Sequence, residues 1–198
     1  SHTARAEIIT AGACRGACPV TKKAPVHKLK GLTKEAFRNG GEKMKKEIIK
    51  VDHPGLLQAF ARVPHSVYPP GEIPPPANCM EKFSPFNPAL EHIRLANYVA
   101  FKDNRPVGRI TASVDMLNPR REEGFWGCFE CVECPETADV LLEAAAYWLK
   151  KQGRSVMIGP ASLNTNEQVG LLIKGFDCAP QPDMPHNPPY YQEILESC

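Results

Sequence analysis

Between Arg94 and Gly159 the apolar period of the chain passes from about two to about 3.6 residues and back, which restricts the fold more than any other feature. Arg94 to Phe101 and Val107 to Val114 are β-prone runs separated by the polar step Asp103-Asn104-Arg105-Pro106, a pattern that predicts a hairpin. Trp126 to Val132 predicts another strand. After Pro135, Val140, Leu141, Ala144, Ala145, Trp148 and Leu149 recur at helical spacing, Glu143, Lys150 and Lys151 take the wet face, and Gly153 stops the run. Ser155 to Ile158 is then a short apolar strand ending at Gly159-Pro160. A meander that feeds a strand-helix-strand crossover requires a mixed sheet with a helix packed on it. The expected fold is α/β (α+β mixed) with one core.

The flanks are less regular. Glu47 to Val51 reads as a strand and Pro54 to Ala61 as a short helix capped by Asp52 or His53. Upstream, Gly12, Gly16, Gly31, Gly40 and Gly41 with Pro19 and Pro25 break every longer pattern, leaving only a short helix around Lys34 to Phe37. Residues 1–46 are therefore expected to be a partly ordered extension, its Ser1-His2 resembling a tag remnant, and residues 47–198 the domain. The prolines between Pro64 and Pro88 predict an ordered loop that wraps this domain. Thr165 and Gln168 can form a capping box before a helix through Val169, Leu171, Leu172 and Ile173, or the Asn-rich loop holding Asn164 can be a ligand surface. The last helix starts at Pro188 or Pro189 and carries Tyr190 and Tyr191, one for the core and one for a cleft.

Charge and cysteine placement exclude several functions. The 24 basic and 22 acidic residues are interspersed, for a net charge of +2, and acids dilute the basic run from Lys22 to Lys50, so no nucleic-acid partner is expected. No window approaches the roughly 18 apolar residues of a membrane span, and a cytoplasmic protein with no membrane partner is the simplest reading. The eight cysteines are scattered in a way that suits reduced thiols. Cys128, Cys131 and Cys134 have a spacing near that of cluster ligands, but on a strand Cys128 and Cys131 point to opposite faces, and no metal is expected.

Several short motifs occur in one order: Ala89-Leu90-Glu91-His92, Asp103 to Ile110, Gly124 to Cys131, Gly159-Pro160-Ala161-Ser162-Leu163-Asn164 and Met184 to Tyr191. Together they resemble a family of bacterial proteins described as GNAT-like N-acyltransferases, over about residues 47–198. The resemblance implies a strongly bent mixed sheet in which two parallel strands, here Phe125 to Val132 and Arg154 to Ile158, splay apart to admit acetyl-CoA or another acyl-CoA. It implies a pyrophosphate site at Val132, Glu133, Cys134, Glu136 and Thr137, where a helix begins, with Asn164 as a further cofactor contact. Glu130 is then the candidate general base, and Tyr190 or Tyr191 the candidate acid for the departing thiolate.

Two differences from that pattern shape the expectations. The usual glycine-bearing pyrophosphate loop is replaced by Glu133, Glu136 and Asp139. The chain also ends after the tyrosine helix, so the final strands are expected to be missing, leaving an edge that either a second copy, making a homodimer, or the N-terminal extension covers. Two functions follow: an acyl-CoA-dependent N-acyltransferase acting on a small-molecule or peptide amine, or a non-catalytic relative that binds a small ligand or a protein partner.

Overall fold

The computed structural model describes residues 5–10, 20–25, 46–73, 79–177 and 184–198, the first two segments as backbone. The described residues form a seven-stranded mixed sheet with helices packed on it. Its strands are β1 (Arg5–Thr10), β2 (Val20–Pro25), β3 (Lys46–Lys50), β4 (Ile93–Lys102), β5 (Arg105–Asp115), β6 (Glu123–Cys131) and β7 (Val156–Gly159), in spatial order β2-β1-β7-β6-β5-β4-β3. Helices α1 (Pro54–Arg62) and α2 (Pro64–Val67) precede the meander, α3 (Pro135–Lys151) links β6 to β7, and α4 (Tyr191–Ser197) ends the chain.

The meander forms where the pattern predicts it. Asp103 and Asn104 adopt φ 50° and 62°, the paired left-handed conformation that lets a two-residue turn follow the twist of its strands. Residues of β4 to β6 that face α3 include Ile110, Ala112, Val114 and Trp126, which join Ala138, Leu141, Ala145 and Leu149 in the main core. Burying Leu141 and Leu149 completely contributes about 2 kcal/mol each. Leu149 comes so close to β6 that a Cβ on Gly124 would stand 2.4 Å from its Cδ2, which accounts for the glycine in a buried strand. His53 caps α1, its Nδ1 accepting from Leu56 N–H at 3.4 Å.

Two expectations are corrected. Among the described residues, the N-terminal extension holds two strands: β1 runs parallel to β7 from Arg5↔Val156 to Ile8↔Gly159, and β2 flanks it antiparallel. The run Glu7-Ile8-Ile9-Thr10 is β-prone but short; it pairs with nearby β2, and its place in the main sheet depends on β7, far along the chain. The N-terminal segment thus lies along the edge that a second copy was the other way to cover; the helix expected around Lys34 to Phe37 lies outside the described residues. The helix expected from Val169 to Ile173 does not form. Instead Val169 bridges Ala161, and buried Asn187 accepts from Leu172 N–H at 2.8 Å while donating to Leu172 C=O at 3.2 Å. A side chain here takes the backbone bonds that a helix would have used.

Candidate active site

β6 and β7 stay in register for three positions, Glu123↔Val156, Gly124↔Met157 and Phe125↔Ile158, and then part. β7 stops at Gly159 while β6 runs on to Cys131. At the point of parting, Ala161 N–H donates to Trp126 C=O at 2.7 Å, and a Cβ on Gly127 would lie 2.3 Å from the Ala161 oxygen. Only glycine lets these backbones meet. Beyond this contact the wedge narrows to a cavity of about 60 Å³, with Cys128, Phe129 and Glu130 on one wall and Ser162, Gly170 and Leu171 on the other.

A bulge in β6 decides which side chains face the wedge. Arg109 pairs with Glu130 and Thr111 with Gly127, so Ile110 alone opposes both Cys128 and Phe129. Cys128 absorbs the extra residue at φ 46°. The insertion keeps Cys131 in the α3-side core and puts Cys128 in the second apolar cluster, with Phe60, Val63, Cys79 and Val99. That separation agrees with the expected opposite facing of Cys128 and Cys131. Among the described residues, no group of three or more His, Cys, Asp or Glu side chains could hold a metal ion.

Glu130 is 5% exposed and sits among three donors. Its Oε2 accepts from the Tyr191 hydroxyl at 2.7 Å, its Oε1 is 4.0 Å from an Arg109 guanidinium nitrogen, and the Tyr68 hydroxyl lies beside it. Burial pushes the Glu130 carboxyl above its ordinary value, against the opposing pull of Arg109, Tyr191 and Tyr68. Arg109 is itself fixed, donating to Phe60 C=O at 3.1 Å with its guanidinium 5.0 Å from the Phe60 ring centre. Tyr68 hydrogen-bonds the His186 carbonyl at 3.5 Å; burial, then the Glu130 charge, raises its pKa.

The two tyrosines of the last helix meet at one residue, Cys131. The Tyr191 hydroxyl accepts from Cys131 N–H at 2.8 Å, and the Tyr190 hydroxyl donates to Cys131 C=O at 2.9 Å. Their rings are 5.2 Å apart, edge to face. Tyr191 is buried in the main core and also lines the cavity, whereas Tyr190 is half-buried and packs against the same core without lining the cavity. Burial raises both hydroxyl pKa values, the Glu130 charge adding to Tyr191 and the Cys131 thiol to Tyr190.

The residues expected around a cofactor lie in two other places. At the start of α3, Cys134 is the N-cap residue and makes no side-chain cap bond, and Pro135 follows. Glu133 and Glu136 are exposed there, Thr137 is buried, Val132 N–H is taken by Val107 C=O, and the Cys134 thiol donates to Glu136 at 3.0 Å. This helix start fits a pyrophosphate poorly: proline has no N–H to offer, and the two carboxylates repel an anion. Asn164 lies at the far end of β5, where it donates to Asp115 Oδ2 at 3.0 Å. Asp115 is six residues from Arg109, about 20 Å along an extended strand. Glu130 and both tyrosines were legible in the sequence; Tyr68 and the clustering of Cys79 with Cys128 were not.

No family model matches the chain. It is 42% identical over 146 residues to Protein YghO of Escherichia coli (strain K12), covering 71% of this chain and 37% of that protein. It is 39% identical over 108 residues to the bacterial ceramide synthase of Caulobacter vibrioides (strain NA1000 / CB15N), covering 52% of this chain and 28% of that protein. The chain thus spans about a third of the length of the curated relatives it matches. Among solved structures, AAC(6')-Iy in complex with the bisubstrate analog CoA-S-monomethyl-acetylneamine is similar at TM-score 0.43 and 19% identity, over 61% of this chain and 83% of that one. The apo aminoglycoside 6'-N-acetyltransferase AAC(6')-IG of Acinetobacter haemolyticus is similar at TM-score 0.41 and 12% identity, over 61% and 82%. Among the described residues, no helix is long and apolar enough to cross a membrane.

Proposed function

We propose that this chain carries the catalytic face of an N-acyltransferase, which moves an acyl group from an activated donor such as an acyl-CoA to an amine. The observation that carries this reading is Glu130, a carboxylate buried in the wall of the wedge where β6 and β7 part. An amine attacks only when neutral, and a carboxyl raised by burial is a better base than one in water. In this reading the amine nitrogen bonds to the acyl carbon, the bond to the leaving group breaks, and Glu130 takes the amine proton. Tyr191 holds the carboxylate and so acts as a positioning residue, while half-buried Tyr190 is the candidate for returning a proton to the leaving group. The likeness to a bacterial ceramide synthase supports the amine of a long-chain amino alcohol as acceptor.

A second reading, a non-catalytic protein that binds a small ligand, draws on the narrow cavity and the acidic start of α3. The two are separated by incubating the chain with acyl-CoAs of increasing length and a panel of amines, following thiol release and the amide by mass spectrometry. Amine-dependent release that Glu130→Gln abolishes supports transfer. No release from any donor, with a thermal shift by one of the same compounds, supports the binding protein.

A further inference from the structure

Acyl transfer leaves one buried pair on this face unused. Cys79 follows the proline-rich segment and Cys128 is the bulged residue of β6; both are buried in one cluster with Phe60, Val63 and Val99, close enough that each thiol perturbs the ionisation of the other. They differ in surroundings. Cys128 lines the cavity together with Arg109, whereas Cys79 is 1% exposed and does not line it. The neighbouring Cys79 thiol, then the Arg109 charge, outweigh burial and bring the Cys128 thiol down to about 7, while Cys128 and burial hold Cys79 up. The arrangement pairs one thiol that ionises readily with one that stays protonated against it.

We propose that Cys79 and Cys128 form a dithiol that hydrogen peroxide oxidises to a disulfide. The Cys128 thiolate attacks one peroxide oxygen, the O–O bond breaks, hydroxide leaves to become water, and Cys128 becomes a sulfenic acid. The Cys79 sulfur then attacks the Cys128 sulfur, the S–O bond breaks, and the Cys79 proton leaves with that hydroxide as a second water. Two electrons pass from the thiols to the peroxide. Size selects the oxidant: a cavity of about 60 Å³ exceeds the roughly 10–15 Å³ that one water needs, yet is far too small for glutathione. The product would tie β6, two residues from Glu130, to the proline-rich segment.

The test is peroxide treatment of the full chain, alkylation with iodoacetamide after denaturation, and peptide mapping. The expected product is a peptide linking Cys79 to Cys128, lighter by two hydrogens and restored by dithiothreitol. Cys79→Ser should leave Cys128 as a sulfenic acid that dimedone traps, and oxidised glutathione should leave both thiols free. Both cysteines remaining alkylatable after peroxide, Cys128 linked to a different cysteine, or glutathione reacting as fast as peroxide would overturn the proposal. The wild-type map decides the pairing even if a variant fails to fold.

Discussion

Replacing Tyr191 with phenylalanine removes a single oxygen that serves two partners. That oxygen accepts from Cys131 N–H at 2.8 Å and donates to Glu130 at 2.7 Å, and both tyrosine and glutamate are nearly out of reach of water. A buried N–H left without a partner costs about 1–3 kcal/mol, and a hydrogen bond to a charged group contributes about 1.5–3 kcal/mol. Because both effects pass through one atom and Glu130 keeps Tyr68 and Arg109, the expected loss is about 3 kcal/mol rather than their sum. With a urea dependence of about 2 kcal/mol/M, the unfolding midpoint should fall by about 1.5 M. Tyr190→Phe is the internal control: it removes one half-buried bond, to Cys131 C=O, and should cost about 1 kcal/mol. Equilibrium urea unfolding, followed by circular dichroism and by the fluorescence of buried Trp126, reads both variants on one scale. If Tyr191→Phe costs no more than Tyr190→Phe, the argument that Tyr191 anchors the end of β6 to Glu130 fails.

Three further outcomes are expected. Burial raises Glu130 above 4.5, so the folded protein holds that proton more tightly than the unfolded chain does, and wild-type stability drops as pH climbs from the ordinary carboxylate range to the folded value. Glu130→Gln lacks that penalty, so its melting temperature relative to wild type should improve across the same window, and a flat difference would refute the shift. Burial raises Asp115, but bonds from Leu117 N–H, Asn164 and His92 outweigh it and leave the carboxyl below 3.8; its stabilisation is present above that value and lost as pH falls through the folded one. Asn164→Ala should therefore move the acid-unfolding midpoint upward, and an unchanged midpoint would show that Asn164 does not support Asp115. Gly127→Ala should cost about 3 kcal/mol or more in chemical denaturation, because its Cβ meets the backbone of Ala161 at 2.3 Å and neither strand can yield; a near-neutral substitution would mean that the strands part elsewhere.

Where local pattern and burial agree, the structure was legible in advance. The hairpin turn at Asp103-Asn104, the strand through Glu130 and the α3 helix all lie where period and punctuation put them, because each buries an unbroken apolar face against the same core. Pairing at long range was not legible. β1 carries few residues, and although it pairs with nearby β2 it joins the main sheet through β7, about 150 positions later; the segment after Thr165 loses its helix to Asn187, whose amide reaches Leu172 from a distant loop. The site divides in the same way. Glu130 and the tyrosines could be named from motif order, but Cys128 shares their face only because a bulge shifts the alternation of β6, and no residue type announces a cysteine at positive φ. Tyr68 joins through the fold of the proline-rich region, which carries no periodic signal.

The proposed role of Glu130 as the base of an amine acylation is read from the pH dependence of amide formation by wild type and Glu130→Gln. The variant should lose about 100-fold or more in kcat/KM, with folding intact by circular dichroism, and the acidic limb of the wild-type profile should disappear. A variant that retains wild-type kcat/KM and the same acidic limb would contradict it.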